Sequence, residues 1–196
     1  MTEESTSLPP KDWLRRKPVQ LGIAATVCVM LLALAGLWWA RHAHQQPSPA
    51  VDNRPVGASG LPLPRFVSIS ARRANLRSGP GRAYPVRWVY TRRNWPLKVI
   101  REYGVWRQVE DIDGTTGWMH AALLSGRRFG VIRADRPVAL HAKPRPDSVV
   151  LYRAEPGVLV RILRCGPAWC RVRIAGGKAW IQKTALWGVL PREIID

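Results

Sequence analysis

The side chains of this sequence that could do chemistry are few and stand apart. His120 and His141 lie in short runs of strand-like alternation, and neither has a Ser, Cys or Asp at a spacing that would pair a nucleophile with a base. The run Asp111-Ile112-Asp113-Gly114 begins like a calcium loop but lacks the further oxygen ligands and the distal Glu that complete one, so it reads as a turn. His42 and His44 offer two ligands where a metal needs more. There is no phosphate-cradling glycine loop and no dinucleotide fingerprint. The expectation is a non-enzymatic chain with no catalytic residue, no metal and no cofactor.

Cys165 and Cys170 are the exception. They flank Gly166-Pro167-Ala168-Trp169, a tight connection between two strand-like runs, which would bring the sulfurs together across a hairpin. A disulfide closing so short a loop stabilises by about 2 kcal/mol in the chain-entropy picture. The alternatives are two reduced buried thiols or a zinc site, the latter disfavoured because no second Cys or His pair is near. In an ungapped comparison of the two halves described below, the same two positions in the first half are Glu102 and Arg107, whose ion pair would clasp the corresponding hairpin.

Binding is the chemistry that remains, and its materials are cationic and aromatic. The net charge is +18, and residues 66–196 hold 24 Lys and Arg against 9 Asp and Glu. Such a balance favours anionic partners: nucleic acid, lipid headgroups or acidic wall polymers. Ten Trp stand against two Phe. Arg77, Tyr84, Trp88 and Tyr90, with Asn75, lie in or around the first turns of the C-terminal region. Aromatic faces accept sugars, prolines or cations, and guanidinium forks match carboxylates and phosphates. The plainer reading of Trp106, Trp118, Trp169 and Trp180 is that they fill or close small cores, and that of the Arg92-Arg93 and Arg127-Arg128 pairs is a solvated face.

These residues must be positioned by strands. With 17 Pro and 16 Gly, the chain has many turns and little helix. Alternation predicts strands over 66–70, 74–77, 86–90, 97–102, 105–111 and 115–120, with Asp113-Gly114 as a hairpin turn and one 3₁₀ turn over 121–124. The order then repeats: 138–141 parallels 74–77, 149–152 parallels 86–90, and 158–163 parallels 97–101. Trp169 follows Trp106 by 63 residues and Trp180 follows Trp118 by 62, so the region is an internal duplication with room for one small barrel per copy.

The phrase Asn75-Leu76-Arg77-Ser78-Gly79-Pro80, followed by Trp106 and then Gly117-Trp118, resembles the bacterial SH3-like (SH3b) domain. The duplicated region is similar to the tandem SH3-like proteins of Gram-negative bacteria. The resemblance implies an all-β fold of two tandem SH3-like small β-barrels, domain 1 over 65–126 and domain 2 over 127–196. It also implies a ligand groove between two loops, which places Asn75, Arg77, Tyr84, Trp88 and Tyr90 as candidate ligand-binding residues. In the second copy the phrase becomes Ala139-Leu140-His141-Ala142-Lys143-Pro144, without the Asn, Arg and Gly, so the first copy is expected to carry the better-formed recognition turn.

Ahead of the barrels, residues 1–20 form a polar tail containing Lys11, Arg15, Arg16 and Lys17. Residues 21–40 carry no charge and are long enough to cross a bilayer as one helix. The basic residues before that span place the tail in the cytoplasm and the barrels in the periplasm, as a single-pass inner-membrane protein. The competing reading is a signal peptide cleaved near Ala35, after Ala33-Leu34-Ala35. Cys28 follows Val27 rather than a small residue and lies deep in the apolar run, which argues against a lipoprotein. Residues 41–64, with five prolines, read as a semi-extended linker reaching up to roughly 75 Å at about 3.1 Å per residue. The expected function is a membrane-tethered periplasmic binding module for peptidoglycan, a peptide or an envelope protein. The alternative is a scaffold of a membrane complex, its basic surface held on anionic lipid or wall polymer. Nucleic acid suits the charge but not the location.

Overall fold

Short alternating runs broken by Gly, Pro and Asp-Gly give fourteen strands and no α-helix over residues 54–196, the part of the chain that the computed structural model describes. The predicted tail, the apolar span over 21–40 and most of the proline-rich linker lie outside the described residues. Among those described, no helix is long and apolar enough to cross a membrane.

The first copy comprises β1 (Arg65–Ile69), β2 (Ala74–Arg77), β3 (Val86–Tyr90), β4 (Pro96–Tyr103), β5 (Trp106–Glu110), β6 (Thr116–His120), a 3₁₀ turn (Ala121–Leu123) and β7 (Leu124–Ser125). The second comprises β8 (Phe129–Ile132), β9 (Val138–His141), β10 (Val150–Ala154), β11 (Leu159–Cys165), β12 (Trp169–Ile174), β13 (Gly177–Gln182), a 3₁₀ turn (Lys183–Ala185) and β14 (Leu186–Trp187). Each copy is one seven-stranded sheet, ordered β3-β2-β6-β5-β4-β1-β7 and β10-β9-β13-β12-β11-β8-β14. The connectivity is the same twice, as the duplication requires.

Strands such as β2, β11 and β12 alternate an apolar side chain inward with a polar one outward, while β1 and β8 are buried on both faces beyond their first residue, and each sheet encloses its own core. Ile69, Leu76, Leu97, Val99, Val109 and Met119 fill the first. Leu140, Val160, Ile162, Val172 and Ile181 fill the second. Trp106, Trp118, Trp169 and Trp180 are not in those cores: all four are half-buried and stand on the outer side of their strands, because their neighbours Val109, Gly117, Met119, Cys170, Ala179 and Ile181 take the inward positions. Aliphatic side chains supply most of both cores, joined by Met119 and Tyr90 in the first and by Cys165 and Cys170 in the second.

The linker expectation is corrected at its C-terminal end. Residues 54–64 form a tight turn, closed by the Val56 to Pro62 bridge and by the Gly57 N–H donating to the Leu61 carbonyl at 2.8 Å. Ser59 at its tip donates through its backbone N–H and its hydroxyl to the Glu102 carboxylate, at 2.7 and 2.8 Å. The tail of the second copy does the equivalent. Ile195 bridges Cys165, and the buried Lys183 Nζ donates to the Pro191 and Glu193 carbonyls at 3.2 and 2.8 Å.

The copies meet at Trp187. The Phe66 ring packs against it at right angles with centroids 5.1 Å apart, while Lys98 and Arg133 approach its ring at 5.1 and 5.9 Å. Beside this junction lies an open cleft of about 580 Å³, lined by Phe66, Lys98, Arg133, Trp169 and Trp187 among others.

Candidate functional site

The turn between β2 and β3 is built by Arg77. Its Nη1 donates to the carbonyls of Arg82 and Tyr84, at 2.9 and 2.7 Å, and the Ser78 N–H donates to the Pro85 carbonyl at 3.0 Å. Arg77 is thus a clip that shapes the loop, rather than a cation held out for a ligand. Tyr84 lies over Gly79 and Gly81, close enough that a Cβ at Gly79 would run into its ring. Gly79 has an ordinary negative φ, so this close approach, and not backbone freedom, is what requires glycine there.

This clip leaves an aromatic surface. Tyr84 is 48% exposed, Trp88 60% and Val86 42%. Exposed Arg82 and Arg87 stand among them. All lie on or next to β3, an edge strand whose outer backbone groups have no strand beside them. An exposed edge flanked by aromatics and guanidinium groups can add an extended peptide or stack a sugar ring.

Two of the candidates fall elsewhere. Tyr90 is only 7% exposed, and its hydroxyl donates to Asp111 Oδ2 at 2.8 Å. Burial, followed by that bond and the Asp111 charge, pushes its phenol well above the usual tyrosine range. Tyr90 therefore belongs to the core of the first barrel. Asn75 sits half-buried opposite Val89 and makes no side-chain hydrogen bond to the turn.

Asp111 also accepts the Trp95 indole N–H at 2.8 Å and the Ile112 N–H at 2.7 Å, so its two oxygens serve three donors within the fold. The run over 111–114 is a turn, with Gly114 at φ +78°. No three His, Cys, Asp or Glu side chains gather into a metal site among the described residues. His120 accepts the Ala122 N–H through Nδ1 at 3.2 Å and meets the Trp106 ring edge-on at 5.3 Å. His141 meets Trp169 in the same way at 5.4 Å. Both histidines are structural.

The second copy closes its equivalent turn differently but as completely. His141 Nδ1 lies 3.0 Å from the Ser148 carbonyl, which can only accept, so that nitrogen carries the proton. The Ser148 hydroxyl takes the Lys143 N–H at 3.2 Å and donates to the Lys143 carbonyl at 3.0 Å. The expectation that losing Asn, Arg and Gly leaves a poorer turn is corrected: His141 and Ser148 hold this turn where Arg77 holds the first. What differs is the surface, which exposes the aliphatic Val149, Val150 and Leu151 where the first copy exposes Tyr84, Val86 and Trp88.

The hairpin ends also match. Cys165 and Cys170 form a disulfide, and Glu102 accepts from Arg107 Nε at 3.1 Å at the equivalent register. Glu102 also accepts from Arg65 at 2.6 Å. The equivalent of Arg65 in the second copy, Arg128, pairs with Glu193 of the tail, with Nη2 to Oε2 at 3.0 Å.

Two small all-β sheets of the same connectivity in tandem, each with an exposed edge strand, define a pair of SH3-like barrels. The bacterial SH3 domain family matches residues 70–126 and 134–188, more than half of the chain, and the chain belongs to that family. Curated proteins give no match. Among solved structures, NlpC2 and NlpC1 of Trichomonas vaginalis are similar at 11% and 12% identity, over 63% and 67% of this chain and 48% of each of theirs, both with a TM-score of 0.30. An NlpC/P60 family protein from Bacillus cereus is similar at 15% identity, over 62% of this chain and 55% of that one, with a TM-score of 0.28. The chain thus spans about half the length of these structures.

Proposed function

We propose that the chain is a membrane-tethered, non-enzymatic binding module of the bacterial envelope, its two barrels in the periplasm, recognising peptidoglycan, its stem peptides or an envelope protein. The observation that carries this reading is the exposure of Tyr84 and Trp88 beside Arg82 and Arg87 on a free strand edge. A scaffold reading asks instead for those rings to be buried between the barrels. The barrels meet at Phe66 and Trp187, away from that edge. Membership in the bacterial SH3 family supports a cell-wall ligand. The tether rests on the charge-free span over 21–40 behind a basic tail.

The test is retention of the full chain, in detergent, on isolated sacculi. Replacing Tyr84 and Trp88 together by Ala is expected to weaken retention about tenfold, the scale of two lost aromatic contacts. Replacing Tyr103, an equally exposed ring elsewhere, is expected to change little. Equal effects of the two changes would remove the β3 edge from the site. For topology, a reporter active only in the cytoplasm, fused after Asp196, is expected to be silent, and activity would reverse the orientation.

A further inference from the structure

On the outer face of the second sheet, cations stand directly opposite cations. One row runs across β11, β12 and β13 as Arg161, Arg173, Lys178. The next runs Arg164, Arg171, Trp180 and on to His141 in β9. The five cations are exposed, and none forms an ion pair or a side-chain hydrogen bond among the described residues. Arg164 lies over the Trp180 ring at 6.0 Å.

Like charges directly opposite each other across neighbouring strands destabilise a sheet. The first copy avoids this at the same positions. Lys98 pairs with Glu110 at 2.6 Å, Thr116 follows in that row, and Gln108 separates Arg101 from Trp118 in the next. The second copy has replaced a bonded pair and two neutral residues by cations, and no carboxylate of its own balances them. Such a face is held at a cost to the free protein and is relieved when an external polyanion lies on it.

We infer that the outer face of β11, β12 and β13 is a docking surface for the carboxylates of the peptide-bearing wall polymer, which rests on the envelope-binding reading above. Facing side chains lie about 5 Å apart across strands, and same-face residues about 7 Å apart along them. Successive carboxylates of an extended anionic chain therefore meet one guanidinium after another, each able to bind bidentately. The second copy contributes through charge what the first contributes through aromatic rings.

The experiment compares two full-length variants with equal charge loss. One carries Gln at Arg161, Arg164, Arg171, Arg173 and Lys178. The other carries Gln at the exposed Arg72, Arg73, Arg92, Arg93 and Arg127. Both are measured in detergent for retention on native sacculi and on sacculi whose carboxyl groups have been amidated. The first variant is expected to lose about tenfold or more in retention and the second less than about twofold. Amidation is expected to bring the wild type down to the first variant and to leave that variant unchanged. Its thermal midpoint should equal or exceed that of the wild type, since repulsion is removed. Equal losses in the two variants, insensitivity to amidation, or a lowered midpoint would overturn the proposal. If the wild type is retained and the first variant matches it, only this inference fails; if the wild type is not retained at all, the envelope reading fails with it.

Discussion

Glu102 and Cys165 occupy the same place in the two barrels, each at the end of a long strand and each opposite the residue that closes its hairpin, Arg107 in one case and Cys170 in the other. One copy uses charge and the other a covalent bond for the same task. Because the charged clasp also collects Arg65 and Ser59, it fastens the preceding turn to the barrel as well.

The covalent clasp gives the first prediction. Replacing Cys165 and Cys170 by Ser is expected to lower unfolding free energy by about 2 kcal/mol, read from the urea midpoint at constant slope. Reducing agent should produce the same shift in the wild type and none in the double variant. Thiol labelling of the unreduced, denatured protein at these positions would show that the bond is absent.

The charged clasp predicts acid sensitivity. Burial by itself would raise the Glu102 carboxyl, but the Ser59 N–H and the Arg65 guanidinium outweigh it and hold the group below the usual carboxylate value. Glu193 is depressed in the same way, with Arg128 and the Leu190 N–H outweighing burial. A depressed folded value means stability that is complete above the unfolded value, near 4.5, and lost as the pH falls through the folded one. The unfolding free energy should therefore decline below that pH, and Glu102→Gln should flatten the decline. An unchanged pH profile in that variant would show that the carboxylate contributes nothing by its charge.

The Tyr90, Asp111 and Trp95 cluster gives the third. Tyr90→Phe removes a donor from a buried carboxylate and is expected to cost about 1–3 kcal/mol. At the equivalent positions the second barrel has Ala154, Ile174 and Val158, an apolar set. Making all three exchanges in the first barrel should cost less than the sum of the single changes, because no polar atom is left without a partner. Strict additivity in denaturant titrations would contradict the coupling.

Gly79 supplies the fourth. A Cβ there meets the Tyr84 ring, so Gly79→Ala, at a buried backbone position beneath that half-exposed ring, is expected to displace the ring and reduce retention on sacculi by severalfold, at a stability cost of about 1–3 kcal/mol. Retention equal to the wild type would show that the position of Tyr84 is immaterial.

Much of this fold is written locally. The strands over 74–77, 86–90 and 138–141 match their predicted limits, since each is a short alternation ended by Pro, Gly or a charged turn. The disulfide was legible from the tight connection between Cys165 and Cys170, and the Glu102–Arg107 clasp from the 63-residue offset that aligns it with them. The two-residue strands β7 and β14 were not, because two residues carry no periodicity and gain their pairing only from β1 and β8. Tyr90 was misassigned since its partner Asp111 lies 21 residues away, on another strand's end. The cationic rows were invisible for a related reason. Irregular pairing between Ile162 and Arg164 shifts the register of β11, and a shift of one residue decides which face a side chain takes.

Two copies of one topology in a single chain run the risk of trading strands during folding, a β5 seated where β12 belongs. The exchanges between Tyr90 and Ala154 and between Asp111 and Ile174 guard against it. A hybrid barrel that set Asp111 against Ala154 would bury a carboxylate without its phenol, and one that set Cys170 against Glu102 would close neither clasp. Divergence of the repeats thus acts as a proofreading code, by which each half recognises its own strands as kin.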